Sequence, residues 1–391
     1  MHVVIFHDQH PDTLGGAQLS VVLQAKYLRR MGHTVTICAP EVPAYPASPG
    51  VVTFAPYLVD KNNNYVFSWP SRKILDQLDV AFSRLPPVDI VHVQADLWGA
   101  ILGFSFAKRH QLPTVMTFHT NVAAGNKATL RWLAKPFSIL LSVWLKRLVD
   151  VPIGPRPTDE WGYLAKLAKL ADVRIAPTKH FAKTLQSHGV LGEILAISNG
   201  LDDESVAAVS APKVTHSRPS VVWTGRLTYE KRIMEFLEAV AMAGIDADVK
   251  IYGHGMLFPK AQKFIHQHHL EGSVHLEGTV SSSTMLQAIA DADLLVQTSI
   301  GYETQGRTAL EAIVLGTRVV SCDPKIVADY PPELYWVVED SSVEALAQMM
   351  KIAVEKVIAS PIEPDANIRE RYLQSSLTRK LINVYKKLRL T

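Results

Sequence analysis

The sequence predicts an α/β chain made of two doubly wound halves, each a parallel sheet flanked by helices. Three observations predict it. Short apolar runs alternate with helical patterns through the first 198 residues. The alternation lapses over 207–220, AAVSAPKVTHSRPS, where proline and serine collect. It then restarts at Ser220 and continues to Pro324. A length of 391 residues exceeds one ordinary core, and roughly 150 residues per domain gives two.

In order, HVVIF (2–6) reads as a strand, AQLSVVLQAKYLRRMG (17–32) as a helix stopped by Gly32, and HTVTICAP (33–40) as a strand. VDIVHVQ (88–94), a helix near 98–110 and TVMTFHT (114–120) repeat the unit, and RIAPT (174–178) and EILAIS (193–198) close this half. The second half runs SVVWTG (220–225), a helix over 231–244, DVKIYG (248–253), VHLEG (274–278), a helix through the 280s, LLVQTS (294–299), a helix near 306–316 and RVVSCDP (318–324). NIRERYLQSSLTRKLINVYKKLRL (367–390) has apolar residues at helical spacing and is expected to form one long amphipathic helix. The domains so defined are 1–206, 207–366 and a C-terminal helix, 367–391, packing back on the first.

Composition narrows the function. The net charge of +3, from 40 basic and 37 acidic residues with no long basic run, argues against a nucleic-acid binder. Cys38 and Cys322 sit far apart inside apolar segments and read as core residues, which fits a reducing cytoplasm. MHVVIFHD lacks a basic leader, so secretion is not expected. The longest apolar stretch, PFSILLSVWL (136–145), is far short of the roughly 20 residues that cross a bilayer.

In open parallel sheets ligands gather beyond the carboxyl ends of the strands. Several residues with chemistry sit there. Gly15 and Gly16 in HDQHPDTLGGAQ (7–18) either make a tight turn or bring helix amides to a phosphate. The pattern G-x-G-x-x-G is absent from this turn, which removes the usual support for a nicotinamide or flavin. His7, Asp8 and His10 have no matching ligand pair elsewhere, and His266, His268 and His269 end a polar helix; no metal is expected at either group. His119 in TFHT stands at a strand end, structural if alone and functional in company.

TGRLTYEKR (224–232) brings Arg226, Lys231 and Arg232 around a strand-to-helix turn, where the macrodipole favours acids. A guanidinium and an ammonium there suit a diphosphate leaving group. YGHGM (252–256), with Gly253, and the Asn-Gly of SNGLDD (198–203) are turns suited to close backbone approach. GYETQGRTALEA (301–312) carries Glu303 in a loop and Glu311 inside the next helix, about ten ångströms apart. Carboxylates accept from sugar and ribose hydroxyls, and the amides of Gly306, Arg307 and Thr308 offer a helix amino terminus to phosphate.

GGAQ, TFH, SNGLD, GRLTYEKR, YGHG and the Glu303-to-Glu311 element with ALEAIVLGTRVVSC resemble, in that order and over nearly the whole chain, the family 4 retaining glycosyltransferases of the GT-B fold. The resemblance implies two Rossmann-like domains with a cleft between them. It implies a hexosyltransferase using a GDP- or UDP-sugar, with mannose or glucose transferred, no metal and no other cofactor. By the same resemblance Arg226 and Lys231 grip the diphosphate, Glu311 holds the ribose, Glu303 and His119 contact the hexose, and Gly15 and Gly16 line the floor. Asp291-Ala292-Asp293 matches the metal-binding Asp-x-Asp only superficially and reads as a turn. The sequence departs from the family at Thr304-Gln305-Gly306-Arg307, where a small-aromatic-glycine run is common.

Lys127, Arg131 and Lys135 recur every four residues in 127–148, before an apolar block around Trp144. The segment is either an interior helix or a basic, greasy surface resting on anionic lipid, as in enzymes that glycosylate phosphatidylinositol or diacylglycerol. The acceptor is accordingly expected to be a lipid or glycan, and the enzyme cytoplasmic or peripheral on the inner membrane face. The alternatives are a nucleotide-sugar epimerase of the same architecture and a non-catalytic nucleotide-sugar binder.

Overall fold

The computed structural model describes residues 1–13, 15–45, 48–60, 65–119, 121, 134–149, 159–209, 218–359 and 365–390. The chain forms two compact units, Met1–Gly200 with Gln374–Thr391, and Leu201–Leu373.

In unit 1, β1 (His2–His7), β2 (Thr34–Pro40), β3 (Val51–Phe54), β6 (Ile90–Gln94), β7 (Thr114–Thr117), β8 (Val173–Ala176) and β9 (Leu195–Ala196) make a seven-stranded sheet in the order β3-β2-β1-β6-β7-β8-β9. All its pairings are parallel. Its inner strands are buried on both faces, and VVIF and IVHV are nearly continuous apolar runs for that reason. β4 (Leu58–Val59) and β5 (Val66–Phe67) form a separate antiparallel pair. The Gln9 side chain, just past β1, exchanges hydrogen bonds with Val66 and holds that pair in place.

The helices of unit 1 are α1 (Gly16–Arg30), α2 (Arg72–Phe82), α3 (Trp98–Arg109), α4 (Ala134–Val149), α5 (Glu160–Ala168) and α6 (Lys179–Ser187). Ser71 and Thr178 cap α2 and α6 with their hydroxyls. The apolar block of α4 is interior: Leu141, Trp144, Leu145 and Val149 belong to the core beside α3. Of the two readings open for 127–148, the interior helix is the one that fits this part of it. Lys127 and Arg131 lie outside the described residues, as does the side chain of Lys135. On α4, Leu140, Lys146 and Arg147 are exposed.

In unit 2, β10 (Ser220–Thr224), β11 (Asp248–Tyr252), β12 (Val274–Gly278), β13 (Leu294–Gln297), β14 (Arg318–Ser321) and β15 (Tyr335–Val337) form a parallel sheet in the order β12-β11-β10-β13-β14-β15. Around it stand α7 (Asp203–Ala207), α8 (Ile233–Ala243), α9 (Phe258–Gln267), α10 (Ser282–Asp291), α11 (Arg307–Leu315), α12 (Pro324–Val327), α13 (Val343–Ala359) and α14 (Ala366–Tyr372). The last helix, α15 (Gln374–Leu388), returns to unit 1 and packs on α1.

Two boundaries differ from the sequence reading. The crossing into unit 2 falls after Gly200 rather than after Val206, because Asp202 caps α7 and the Val206 side chain sinks into the core of unit 2. The helix expected over 367–390 is two helices. Leu373 is extended (φ −63°, ψ 141°) and bridges to Leu201, while Tyr372 packs in unit 2 and Tyr385 in unit 1. Apolar spacing continues through the break without glycine or proline, so nothing local signals it.

Unit 1 also buries imidazoles. His7 ends β1 and His92 lies in β6, where its ring meets the Tyr385 hydroxyl at 2.6 Å and Thr117 Oγ1 at 2.7 Å. Burial lowers the pKa of His7 from 6.5 to about 4 and that of His92 from 6.5 to about 3. Both rings are therefore neutral in the fold while the unfolded chain titrates near 6.5. Stability is full above that pH and is lost as pH falls toward the folded values. Burial raises the pKa of Asp8 from 3.8 to about 6, so near pH 5 it releases a proton on unfolding and offsets one of the two that the rings take up, leaving a loss of about 1.4 kcal/mol per pH unit. Denaturant midpoints read between pH 7.5 and 5 should fall accordingly, and His92→Gln should lower the slope by about 1.4 kcal/mol per pH unit. A slope unchanged by that substitution would refute the buried neutral ring at 92.

Candidate functional site

The strand order of unit 2 reverses between β10 and β13, so the loops beyond their carboxyl ends diverge and leave a crevice. The loop after β10 is Gly225–Arg232, and the loop after β13 is Thr298–Gly306.

The first loop is shaped by backbone packing. Gly225 N–H donates to Tyr252 O at 3.1 Å, Leu227 N–H to His254 O at 3.1 Å and Leu257 N–H to Leu227 O at 2.9 Å. A Cβ on Gly253 would lie 1.9 Å from Gly225 O, and one on Gly255 2.5 Å from Leu227 O. The close approach at Gly253 is thus made by the protein's own chain. Beyond it Tyr229–Lys231 form a 3-10 turn, and Arg232 takes a left-handed conformation at φ 55°. That conformation is uncommon and strained for a non-glycine residue. Thr298 Oγ1 donates to Lys231 O at 2.5 Å and accepts from Trp223 Nε1 at 2.9 Å, tying the two loops together.

The second loop is held by Asp323 at the end of β14. Its Oδ2 accepts from Gly301 N–H at 2.7 Å and its Oδ1 from Lys325 N–H at 3.0 Å. Gly306 starts α11 at φ 72°, where a Cβ would come within 2.3 Å of Ile326 Cγ2. The N-cap of α11 is Gly306, which has no side chain to accept from the first-turn amides, so those of Arg307 and Thr308 are donors of the kind that suit an anion.

Across the two loops the Lys231 ammonium donates to Glu303 Oε1, and both side chains are about four-fifths buried. Lys231 Nζ also lies 5.6 Å from the Tyr302 ring centroid. Arg226 is mostly exposed and stands 3.5 Å from Glu230. At the start of α11, Arg307 Nε donates to Oε1 of Glu311, one turn on, at 2.9 Å. Burial raises the pKa of Glu311, and Arg307 opposes that rise. The charge added at Arg307 therefore belongs to a pair with Glu311.

In unit 1, Gly15 and Gly16 begin α1, Gly15 with extended backbone and both exposed. His119 follows β7, and its Nε2 lies 2.8 Å from Gln94 Oε1 at the end of β6. Burial first, then His7, lowers its pKa to about 3. Part of the residue keeps its solvent exposure, which weakens its share of the pH-dependent stability relative to His7 and His92. Asp8 is a structural anchor: its oxygens accept the amide N–H groups of Asp96, Leu97 and Gly99 at 2.7, 3.0 and 2.8 Å, holding the start of α3. His10 stacks on Tyr45 and is buried.

Asp293 is also structural, accepting from Ser220 N–H at 2.9 Å. His266, His268 and His269 are exposed. Among the described residues no group of three or more His, Cys, Asp or Glu is placed to hold a metal ion. Sequence reasoning missed Thr298, Tyr302 and Asp323, although all three follow strands that it recognised.

A family model described as Glycosyltransferase Family 4 matches residues 14–205, and one described as Glycosyl transferases group 1 matches 210–371. The chain is 24% identical to a phosphatidyl-myo-inositol mannosyltransferase of Mycolicibacterium smegmatis, over 96% of this chain and 90% of that one. It is 25% identical to a GDP-mannose-dependent alpha-mannosyltransferase of the same organism, over 83% and 80%. Its fold is similar to that of Anabaena HepE in complex with UDP, with a TM-score of 0.70 at 16% identity over 99% and 100% of the two chains. It is similar also to sucrose-phosphate synthase of Thermosynechococcus elongatus, with a TM-score of 0.70 at 17% identity over 99% of each.

Two parallel-sheet Rossmann-like units in one chain define an α/β protein of the GT-B class. With both family models matched in order, the chain belongs to the group 1 GT-B glycosyltransferases.

The loop packing makes a direct prediction. Gly253→Ala, at φ 124° and against Gly225 O, should destabilise unit 2 by about 2–4 kcal/mol, whereas Gly272→Ala, with open space around it, should stay within about 0.5 kcal/mol. Equal denaturant midpoints for the two variants would remove the glycine requirement.

Proposed function

We propose that this glycosyltransferase is a retaining hexosyltransferase that moves mannose or glucose from a GDP- or UDP-sugar to a hydroxyl acceptor, a lipid or a lipid-linked glycan. The observation that carries the reading is the Lys231–Glu303 pair set across the strand-order reversal of unit 2. In the proposed complex the diphosphate takes Lys231 and Arg226, and the freed Glu303 accepts from a hexose hydroxyl. Glu311 accepts from the ribose, and Arg307 counters the rise in its pKa that burial causes. The start of α11, behind its Gly306 N-cap, adds amide donors toward the phosphates.

The chemistry follows from where charge develops. Breaking the sugar–phosphate bond places negative charge on the departing diphosphate, and preorganised cations and amides there lower the barrier without a metal. The same departing phosphate takes the proton of the acceptor hydroxyl on the face it leaves, so configuration is retained and no protein nucleophile is used. Similarity to two mannosyltransferases supports mannose, and the lipid named in one of them supports a lipid acceptor.

Lys231→Ala should lower turnover by about a hundredfold or more while costing only about 1–2 kcal/mol of stability. Near-normal turnover in a folded variant would remove Lys231 from the diphosphate site. Thermal stabilisation measured with GDP-mannose, UDP-glucose and UDP-N-acetylglucosamine identifies the donor; no shift with any nucleoside diphosphate would sink the reading.

The acceptor proposal includes a peripheral contact with anionic membrane, for which the exposed Leu140, Lys146 and Arg147 of α4 are the described candidates in 127–148. No helix among the described residues is long and apolar enough to cross a membrane. Co-sedimentation with anionic vesicles should be strong at low salt and weaken as salt rises. Absence of binding at low salt would exclude the contact.

A further inference from the structure

Among the described residues, three other than glycine hold a positive φ: Gln111, Arg232 and His269. Gln111 and His269 are exposed and follow the ends of α3 and α9, where a left-handed residue commonly closes a helix. Arg232 stands instead between Lys231 and the first turn of α8, with φ 55° and ψ 40°. Glycine takes that conformation without a Cβ penalty, whereas an arginine is strained there and needs its surroundings to hold it.

Its side chain supplies the hold. Only 15% of it is exposed, Nη2 donates to the Ser341 carbonyl oxygen at 2.6 Å, and Nε lies 3.5 Å from Glu235 Oε1. Ser341 belongs to the turn between β15 and α13, and α13 packs along α8. The guanidinium therefore pins the junction of the first loop and α8 to the start of α13. Burial pushes the Cys322 thiol up to about 11, and Arg232 is the largest influence against that rise, so the guanidinium also lies near the end of β14. The next residue, Asp323, holds the Glu303 loop through Gly301.

Arg232 thus shares a loop with Arg226 and Lys231 but faces protein acceptors. Lys231, one residue earlier, has its carbonyl oxygen held by Thr298 Oγ1. Its backbone is fixed from both sides. We infer that Arg232 is a positioning residue whose side chain clamps a strained turn and so holds the Lys231 ammonium at the crevice beyond β10 and β13. The consequence for catalysis rests on the diphosphate contact of Lys231 proposed above; the clamp itself does not.

Arg232→Gly permits the same backbone conformation and removes the clamp. In the full-length protein without ligand, amide hydrogen exchange over 226–231 should quicken by about tenfold or more in this variant. His269→Gly, which relieves the same conformation away from the site, should leave that exchange unchanged. Of GDP and UDP, the nucleotide that binds should bind Arg232→Gly about tenfold more weakly, while GMP and UMP change by less than about twofold. A unit that was merely less stable would lose mono- and diphosphates in equal measure. Added to Lys231→Ala, Arg232→Gly should cost less than about a further twofold in diphosphate affinity, because both changes act through one ammonium.

Unchanged exchange over 226–231 in Arg232→Gly overturns the clamp. Equal losses of mono- and diphosphate, or a full further tenfold loss on top of Lys231→Ala, overturn its action through Lys231. Should Arg232→Gly fail to fold, Arg232→Lys decides by the same measurements: its single ammonium cannot serve both Ser341 and Glu235, and a selective diphosphate loss of about threefold is expected. Wild-type GDP and UDP binding in Lys231→Ala would instead sink the diphosphate reading, and the exchange data then decide the clamp alone.

Discussion

The reversal of strand order between β10 and β13 is the constraint on which the candidate site in unit 2 depends. A parallel sheet needs crossover connections, and crossovers to opposite faces force adjacent loops apart at one position only. Everything distinctive about 225–232 and 298–306 answers that geometry. Gly253 and Gly255 let the first loop lie against the neighbouring turn, and Asp323 and Gly306 fix the second. Thr298 joins their backbones, and Lys231 with Glu303 joins their side chains. The charges are thus mounted on loops whose own backbone bonds are largely satisfied within the unit, which is the condition for preorganisation.

Unit 1 meets a different constraint. Its sheet ends carry polar side chains that the fold buries, and buried polar groups are tolerable only when paired. Asp8 takes three amides, and His92 is held between Tyr385 and Thr117. These networks replace water with fixed partners. The return of the chain to unit 1 as α15 is part of this solution, because without Tyr385 one nitrogen of His92 would lose its hydroxyl partner.

What was legible in the sequence follows the range of each interaction. Parallel strands buried on both faces show as apolar runs, so both sheets were readable, except β3, the β4–β5 pair and β15, which are short and partly exposed. The strand-end residues Arg226, Lys231, Glu303 and Glu311 were also readable, because position after a strand is a local property. The pairings Lys231–Glu303 and Gln94–His119 were not, since they join residues at or beyond the ends of different strands. The break at Leu373 was hidden for the opposite reason: an unbroken helical period masks a change of packing partner.

Arg307 shows how a local departure acquires meaning only in the fold. In sequence it is an added charge four residues before Glu311. In the structure its guanidinium bonds that carboxylate inside a buried environment that disfavours ionisation. A carboxylate that must accept from two vicinal hydroxyls serves best when ionised, since a protonated oxygen becomes a donor. Arg307 therefore counters the cost of burying Glu311 from within the same helix and occupies one of its two oxygens. In the proposed donor complex that leaves Oε2 as the less committed acceptor, and the geometry at 304–307 then bears on the ribose end of the donor as much as on the sugar.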